Sequence, residues 1–509
     1  MNPILFVVAM VLLIYFLSKT MFSRPKHFPP GPSLWFPYYG HFLSILFLHY
    51  HHTHKALAKM CRIYKSKILG FYLGPFPTVV ASDEKSIREL LMKPQFQGRI
   101  DQVVSLVRVD FGEERGIIFT EGDLWQQQKR FFLRHLRDHG FGKRSEPLEV
   151  QLAAEIQDLI TFLREERNHP AYQNGLALIP SIFAWGNIAL LMSALTGEKF
   201  TGREGKDALN AIHWNALNFQ FYTEPLAGTL TFVPFAKYLP PFFGYMKDIT
   251  RLNDNLANYA KNSIRKKMDS FNEDTINCAV DAYIKMMKEA QADGDKETYF
   301  TEEQLKLVIQ DFTFPASNTI SGQLGFLWQQ FLLHPEVQTK IQEELDRVVG
   351  RSELPNLNHR AELHYTEATI REIMRYKTLV PLSVPHKATE DANFMGYHVE
   401  KGTIMIPSLY CLHNDPDIWG DPENFRPERF LDSNGQLKKK DRTLPFGFGK
   451  RLCPGETFAR QNMFMYVAGL LHNFTFSLPE GAKLPDDSKY IPGLNVHPQH
   501  FWMKVTPRS

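Results

Sequence analysis

The sequence predicts a mainly helical α+β chain, with one long central helix and a minor β part toward both ends. Three observations predict it. Apolar residues recur at the helical period through most of residues 84–350, and β-branched and aromatic residues collect between Gly and Pro turns near either end. The chain also opens on an uncharged apolar run. With 509 residues, 44% of them hydrophobic, it can bury a large core. A net charge of +3, from 58 basic and 55 acidic residues, generates no field that would select nucleic acid. Four cysteines, Cys61, Cys278, Cys411 and Cys453, make no disulfide framework in so long a chain and fit a reducing compartment.

Each element follows in order. Ile4 to Leu17 is unbroken apolar sequence, and Lys19, Arg24 and Lys26 follow it. Residues 1–22 are therefore expected to be a transmembrane signal-anchor, with the basic flank holding the rest of the chain in the cytosol. Residues 23–40 carry "FPPGPSLWFPYYG", a stiff Pro-rich linker, and residues 41–509 are expected to form the catalytic domain. His49, His51, His52 and His54 lack a second ligand set and suit a solvated, partly membrane-facing helix better than a metal site. Gly70 to Ser82 reads as a hairpin around a Gly-Pro turn, and Glu289 to Phe300 as an exposed loop. The aromatic segment Asn218 to Lys247 suits a mobile lid that dips into a bilayer and a folding core equally. "HPEVQTKIQEELDRVVG" is an amphipathic helix with Val337, Ile341, Leu345 and Val348 on one face and Gly350 as its cap. Short strands follow residue 380, a helix returns after Cys453, and "HPQHFWMKV" reads as a last strand. Asn473 in "NFT" matches a glycosylation pattern that a cytosolic domain never uses.

Two stretches carry chemistry. In "PFGFGKRLCPGE", Gly447 and Gly449 permit a tight loop, and Cys453 precedes Pro454 at the start of a helix. A cysteine there, close to Lys450 and Arg451, is favoured as a thiolate. In "QDFTFPASNTISG", Pro315 interrupts an otherwise apolar helix, where it must kink or break the ladder. Thr319 can return its hydroxyl to the Pro315 carbonyl.

Phe446, Gly449, Arg451, Cys453 and Gly455 reproduce, position by position, the Phe-x-x-Gly-x-Arg-x-Cys-x-Gly loop of the cytochrome P450 family, which the chain resembles over nearly its whole length. The resemblance implies haem b with Cys453 as its axial iron ligand, and a fold whose long kinked central helix crosses the opposite haem face. It also implies that Glu372, Arg375 and Arg429 form a buried network behind the haem. By type and place, Trp125, Lys129, Arg99, His386 and Arg451 resemble the family's propionate partners, with Phe446 and Gly449 in the haem-facing loop.

Aligned on "HPEV", the family's oxygen-groove motif falls on Pro315 to Ile320, with Thr319 as its catalytic hydroxyl. Asn318 stands where that motif has an acid, and an amide cannot titrate. Proton delivery is then expected to run through Thr319 and ordered water, with Asp311 as a distant acid.

The resemblance further implies a monooxygenase of the endoplasmic reticulum membrane with its catalytic domain in the cytosol. It takes O2, an apolar substrate and electrons from NADPH through a flavoprotein reductase, and admits cytochrome b5 as a further electron partner. The wording is most similar to insect microsomal members that oxidise ecdysteroid or terpenoid hormones or foreign compounds. One alternative is a haem-thiolate isomerase or dehydratase that rearranges lipid hydroperoxides without a reductase; the other is a non-catalytic haem sensor or carrier.

Overall fold

A computed structural model describes residues 27–508, apart from 34–38, 102, 111, 166–167, 201, 222–228, 233–236, 239, 241 and 296. The expected signal-anchor lies outside the described residues. Among those described, no helix is long and apolar enough to cross a membrane.

Helices dominate, as the apolar period predicts. The longest-buried of them, Glu302–Leu333, starts at Thr301, whose side chain accepts from the Gln304 amide, and runs unbroken through Pro315. Its residues are buried nearly all round, which is what a helix without a polar face requires. It packs against the helices Ala184–Thr196, Gly202–Phe221 and Phe242–Asp269. Its C-terminal half, with Leu324, Leu327, Trp328 and Phe331, forms one continuous core with Ile188, Leu191, Ile373, Phe464 and Leu470. Of the two outcomes a proline allows, the helix does not break at Pro315: it continues through the residue, as the expectation of one long central helix requires. What Pro315 removes is one donor, the N–H that would reach the Asp311 carbonyl.

Two five-stranded sheets flank this helical body. The hairpin pairs Ile68–Leu73 with Phe76–Ala81 in antiparallel register, Ile68 facing Ala81 and Leu73 facing Phe76. Ile404–Pro407 adds in parallel to the second strand, and His386–Lys387 and Gly98–Arg99 complete the sheet. This register sets Arg99 directly opposite His386. The other sheet joins Phe474–Ser477 and Phe501–Pro507 to three short strands at Leu176–Ile179, Tyr172–Gln173 and Asn168–His169. Those three interrupt a stretch whose sequence reads as helical. They are too short to carry a period of their own, and pairing with Phe501–Pro507 fixes them.

Several local expectations need correction. Residues 49–54 do not form one helix: helices end at Leu48 and begin at Thr53, and His52 and His54 are buried. His52 stacks on Tyr490 at 4.2 Å, and His54 Nε2 meets the Tyr490 hydroxyl at 2.9 Å, so these rings clamp the first helices to the C-terminal part. The helix Ala279–Ala292 takes the first residues of the expected Glu289–Phe300 loop. Asn473 is buried, accepting from Arg164 and donating to the Gly469 carbonyl, so a glycan has no access in any topology. The described part of the Pro-rich segment packs on the hairpin, where Gly70 donates to the Pro30 carbonyl at 2.8 Å.

Candidate active site

A cavity of about 330 Å³ lies between the Cys453 loop and the middle of the Glu302–Leu333 helix. Its volume lies in the range of small-molecule sites.

On one side, the Phe446 carbonyl accepts from the Cys453 amide at 2.9 Å, closing the loop. Gly449 has φ +70°, and a Cβ there would stand 2.4 Å from the Leu91 carbonyl oxygen, so the loop can approach its neighbour this closely only with glycine. Pro454 lies in the turn ahead of the helix Glu456–Asn473, whose N-cap is Gly455. Cys453 has accessible surface and lines the cavity. Burial pushes its thiol up to about 11; the Gly455 amide and Lys129 oppose this and do not outweigh it. Lys450 and Arg451 are not among the groups that lower it, and a cation bound to the sulfur is what favours the thiolate.

Along one edge the structure gathers Arg99, Trp125, Lys129, His386 and Arg451, which come from four separate segments, Trp125 and Lys129 sharing the helix Gly122–His135. Arg451 sits over the Trp125 ring at 3.7 Å and donates to the carbonyls of Gln97 and Thr120. Lys129 lies over the same ring at 5.0 Å, and its ammonium reaches the Lys450 carbonyl. Arg99 donates to the carbonyls of Ile118, Val384 and Pro385, and His386 Nδ1 to that of Phe96. None of the three cations forms an ion pair with a carboxylate among the described residues. Burial, then mutual repulsion, holds Arg99 and Lys129 below their ordinary values, and burial pushes Arg451 down to about 10. An uncompensated buried cluster of this kind calls for an anionic ligand. A haem with two carboxylates, lying between Cys453 and the helix, fits it.

The opposite wall is the helix face Ala316, Thr319, Ile320 and Gln323, with Phe314, Leu494 and the loop Ile117 to Phe119 beside it. Thr319 makes no hydrogen bond to the Pro315 carbonyl. The hydroxyls that back-bond here are those of Thr313, Ser317 and Ser321, which leaves the Thr319 hydroxyl turned to the cavity. Asn318, adjacent in sequence, points the other way: it is fully buried outside the cavity lining, and neither of its amide atoms has a partner.

Asp311 is not a free acid. It pairs with Arg108 at 2.5 Å and accepts from the amides of Ile117 and Ile118. Gln304 binds both the N–H and the carbonyl of Gly116, each at 2.9 Å. Together they fasten the loop that forms the cavity wall. Gly116 has φ +95°, and a Cβ there would lie 2.2 Å from Asp311 Oδ2. Sequence reasoning missed Arg108, Gln304 and Gly116. A lone carboxylate inside an apolar helix was the available signal.

Behind the Cys453 loop, Glu372 accepts from Arg375 through both oxygens at 2.8 Å, and from Arg429 Nε at 3.0 Å. The remaining donors of Arg375 bind the carbonyls of His413, Pro422 and Asn424. Glu372 and Arg375 are fully buried and fully paired, the condition under which buried charges are tolerated.

The cytochrome P450 family model matches residues 29–505. The chain belongs to the cytochrome P450 family. Cytochrome P450 2U1 of Rattus norvegicus is 32% identical over 505 residues, covering 96% of this chain and 92% of the relative. Cytochrome P450 2J5 of Mus musculus is 31% identical, covering 99% of this P450 and 96% of the relative. Farnesoate epoxidase of Bombyx mori is 28% identical, covering 99% and 98%. The protein is thus a monooxygenase-type oxidoreductase of the P450 class, a family that binds haem through a cysteine thiolate.

Proposed function

We propose that this P450 is a membrane-anchored monooxygenase that places one atom of O2 into an apolar substrate, with Cys453 as the axial ligand of haem b. The observation that carries this reading is the cavity itself, with the Cys453 sulfur on one side, the Thr319 hydroxyl on the other and an unpaired cation cluster along one edge. Bound there, haem supplies the oxygen-binding iron and the thiolate donation that favours O–O cleavage.

The chain's own residues do the rest. Arg99, Lys129, His386 and Arg451 hold the haem carboxylates, and Trp125 keeps Lys129 and Arg451 in register. Phe446 and Gly449 shape the loop around the ligand. Ile117, Phe119, Phe314, Val380 and Leu494 exclude water and hold an apolar substrate against the Ala316 turn, where the small side chain leaves room. Thr319 offers its hydroxyl at that turn, beside Asn318. Electrons come from NADPH through a flavoprotein reductase, with cytochrome b5 as a further donor. The second oxygen atom leaves as water with protons drawn from solvent.

Exposed Lys450, Arg134 and Arg137 offer the reductase a basic face. Residues 1–22 anchor the protein in the endoplasmic reticulum membrane, with the domain from residue 41 in the cytosol. Exposed Phe47, Tyr238 and Phe243 support contact with lipid. The likeness to a farnesoate epoxidase favours a terpenoid or related hormone within the apolar class, ahead of foreign compounds.

The test is product formation in lipid from terpenoids, steroids and fatty-acid hydroperoxides, with and without reductase and NADPH. Oxygenated product that requires reductase, NADPH and O2 is the expected outcome. Hydroperoxide turnover without NADPH would establish the isomerase or dehydratase reading instead.

A further inference from the structure

On the face of the central helix that turns away from the cavity, three imidazoles converge. His213, on the helix Gly202–Phe221, is fully buried and donates Nδ1–H to the Ser317 carbonyl at 2.9 Å. His497, also buried, donates Nδ1–H to the Pro498 carbonyl at 3.0 Å. It packs so closely on the helix that a Cβ at Gly322 would lie 2.9 Å from its ring. His500, half-buried, stacks on half-exposed Trp214 at 4.8 Å. The rings of His500 and His497 are 6.1 Å apart, and those of His497 and His213 are 6.3 Å apart. The set forms a line from the surface to the turn of Ser317 and Asn318.

The hydrogen bonds fix the tautomers. With Nδ1–H bound to a carbonyl, His213 and His497 each present Nε2 as an acceptor. Nε2 of His213, His497 and His500 is buried without a partner, as are both amide atoms of Asn318. The Asn318 amide lies beside the His213 ring without reaching hydrogen-bond geometry. Burial holds His213 and His500 down to about 4, so both are neutral in the physiological range. A buried polar atom left without a partner destabilises the fold. The acceptors of His213 and His497, beside the unpartnered Asn318 amide, are satisfied by water, which both donates and accepts. One to two turns earlier, Pro315 leaves the Asp311 carbonyl without its in-helix donor, a further acceptor on this helix.

We propose that His213, Asn318, His497 and His500 hold a chain of ordered water that carries protons from the surface to the Thr319 side of the cavity. Each transfer passes a proton from one water to the next. The imidazoles accept hydrogen bonds through Nε2 and keep the chain in place, and Thr319 hands the proton on. His213 and His497 are positioning residues, and Asn318 serves as an amide because it must both donate and accept within this chain. The inference rests on the monooxygenase reading, whose reaction consumes protons.

The experiment uses the full chain, loaded with haem, in lipid nanodiscs. A crystal structure of the haem-loaded protein, at a resolution that shows ordered water, tests hydration without turnover. Water within hydrogen-bond distance of Nε2 of His213 and His497 is expected, and a dry cluster would overturn the proposal. In turnover, His213→Phe and the milder His500→Phe, which keeps the Trp214 stack, are expected to lower product per NADPH roughly tenfold and to release the difference as peroxide. That is a fraction of the ~10²–10⁴ that positioned proton transfer contributes. Turnover driven by cumene hydroperoxide, whose oxygen is already reduced, is expected to stay at the wild-type rate in both variants. Equal losses with both oxidants mean a structural role and sink the relay, as does unchanged coupling. A wild-type protein with no NADPH-dependent product would instead remove the monooxygenase reading, and the relay with it.

Discussion

The two walls of the cavity are built on opposite principles. Behind Cys453, the buried charges are paired: Glu372, Arg375 and Arg429 bind one another and the carbonyls around them. Across the cavity, the Ser317 to Gly322 turn is bordered by Asn318, His213 and His497, whose acceptors have no protein partner. The first arrangement fixes one sulfur in space. The second leaves sites for small mobile molecules, which a saturated network would exclude.

The largest expected effect is on the sulfur wall. Cys453→Ser should remove the thiolate signature from the haem spectrum and lower NADPH-driven turnover by more than about 10³-fold, or ~4 kcal/mol of barrier. A variant that retained the thiolate spectrum would show that another cysteine serves as the ligand. Next is the paired network. Glu372→Ala strands Arg375 and Arg429 in a fully buried site, a loss of about 3–5 kcal/mol, and should give little folded, haem-loaded protein. Recovery of normal holoprotein would mean that the wall tolerates an unpaired charge, and the contrast between the two walls would fail.

A smaller effect is expected where the loop meets the helix wall. Gly116→Ala forces an alanine to φ +95° and drives its Cβ into Asp311, which should cost roughly 1–3 kcal/mol and displace Ile117 and Phe119. Thermal melting and the affinity for an apolar substrate should both fall. If only stability fell, the loop would be a brace and would not be part of the substrate wall.

How much of this could be read beforehand differs between the walls in the same way. The Cys453 loop is local: two glycines, an arginine and a cysteine in one short run carry its geometry, and the hairpin Ile68–Ala81 announces itself through its turn. Glu372 and Arg375 stand one turn apart on a helix, so their pairing is legible from spacing. The helix wall depends on long-range contacts. Arg108 reaches Asp311, and Gln304 reaches Gly116, across nearly two hundred positions of sequence. His213 and His497 lie on opposite sides of the central helix in sequence, and nothing in either neighbourhood marks them as partners. The helix itself is legible, because the apolar sequence on both sides of Pro315 reads as one long helix and the chain runs through it.

The smallest effect compares one buried histidine from each wall. His413, by Arg375, has both nitrogens bonded, to Thr378 and to the Leu444 amide; His213 has one unpartnered. Burial holds His413 down to about 3 and His213 to about 4, against 6.5 when unfolded. Both are neutral in the folded protein. As pH falls below 6.5 the unfolded chain gains a proton that the folded chain refuses, so stability declines by about 1.4 kcal/mol per pH unit for each ring until its folded value is reached. Above 6.5 neither contributes. His213→Phe should therefore lose about 2 kcal/mol less than wild type between pH 6.5 and pH 5, read from denaturant midpoints. His413→Gln should flatten the same slope, at the cost of lower stability throughout, since it also gives up bonded partners. If His213→Phe left the slope unchanged, His213 would be taking up its proton in the folded state. Water would then reach that ring freely enough to solvate a charge, and the two walls would differ in hydration by more than their paired and unpaired atoms indicate.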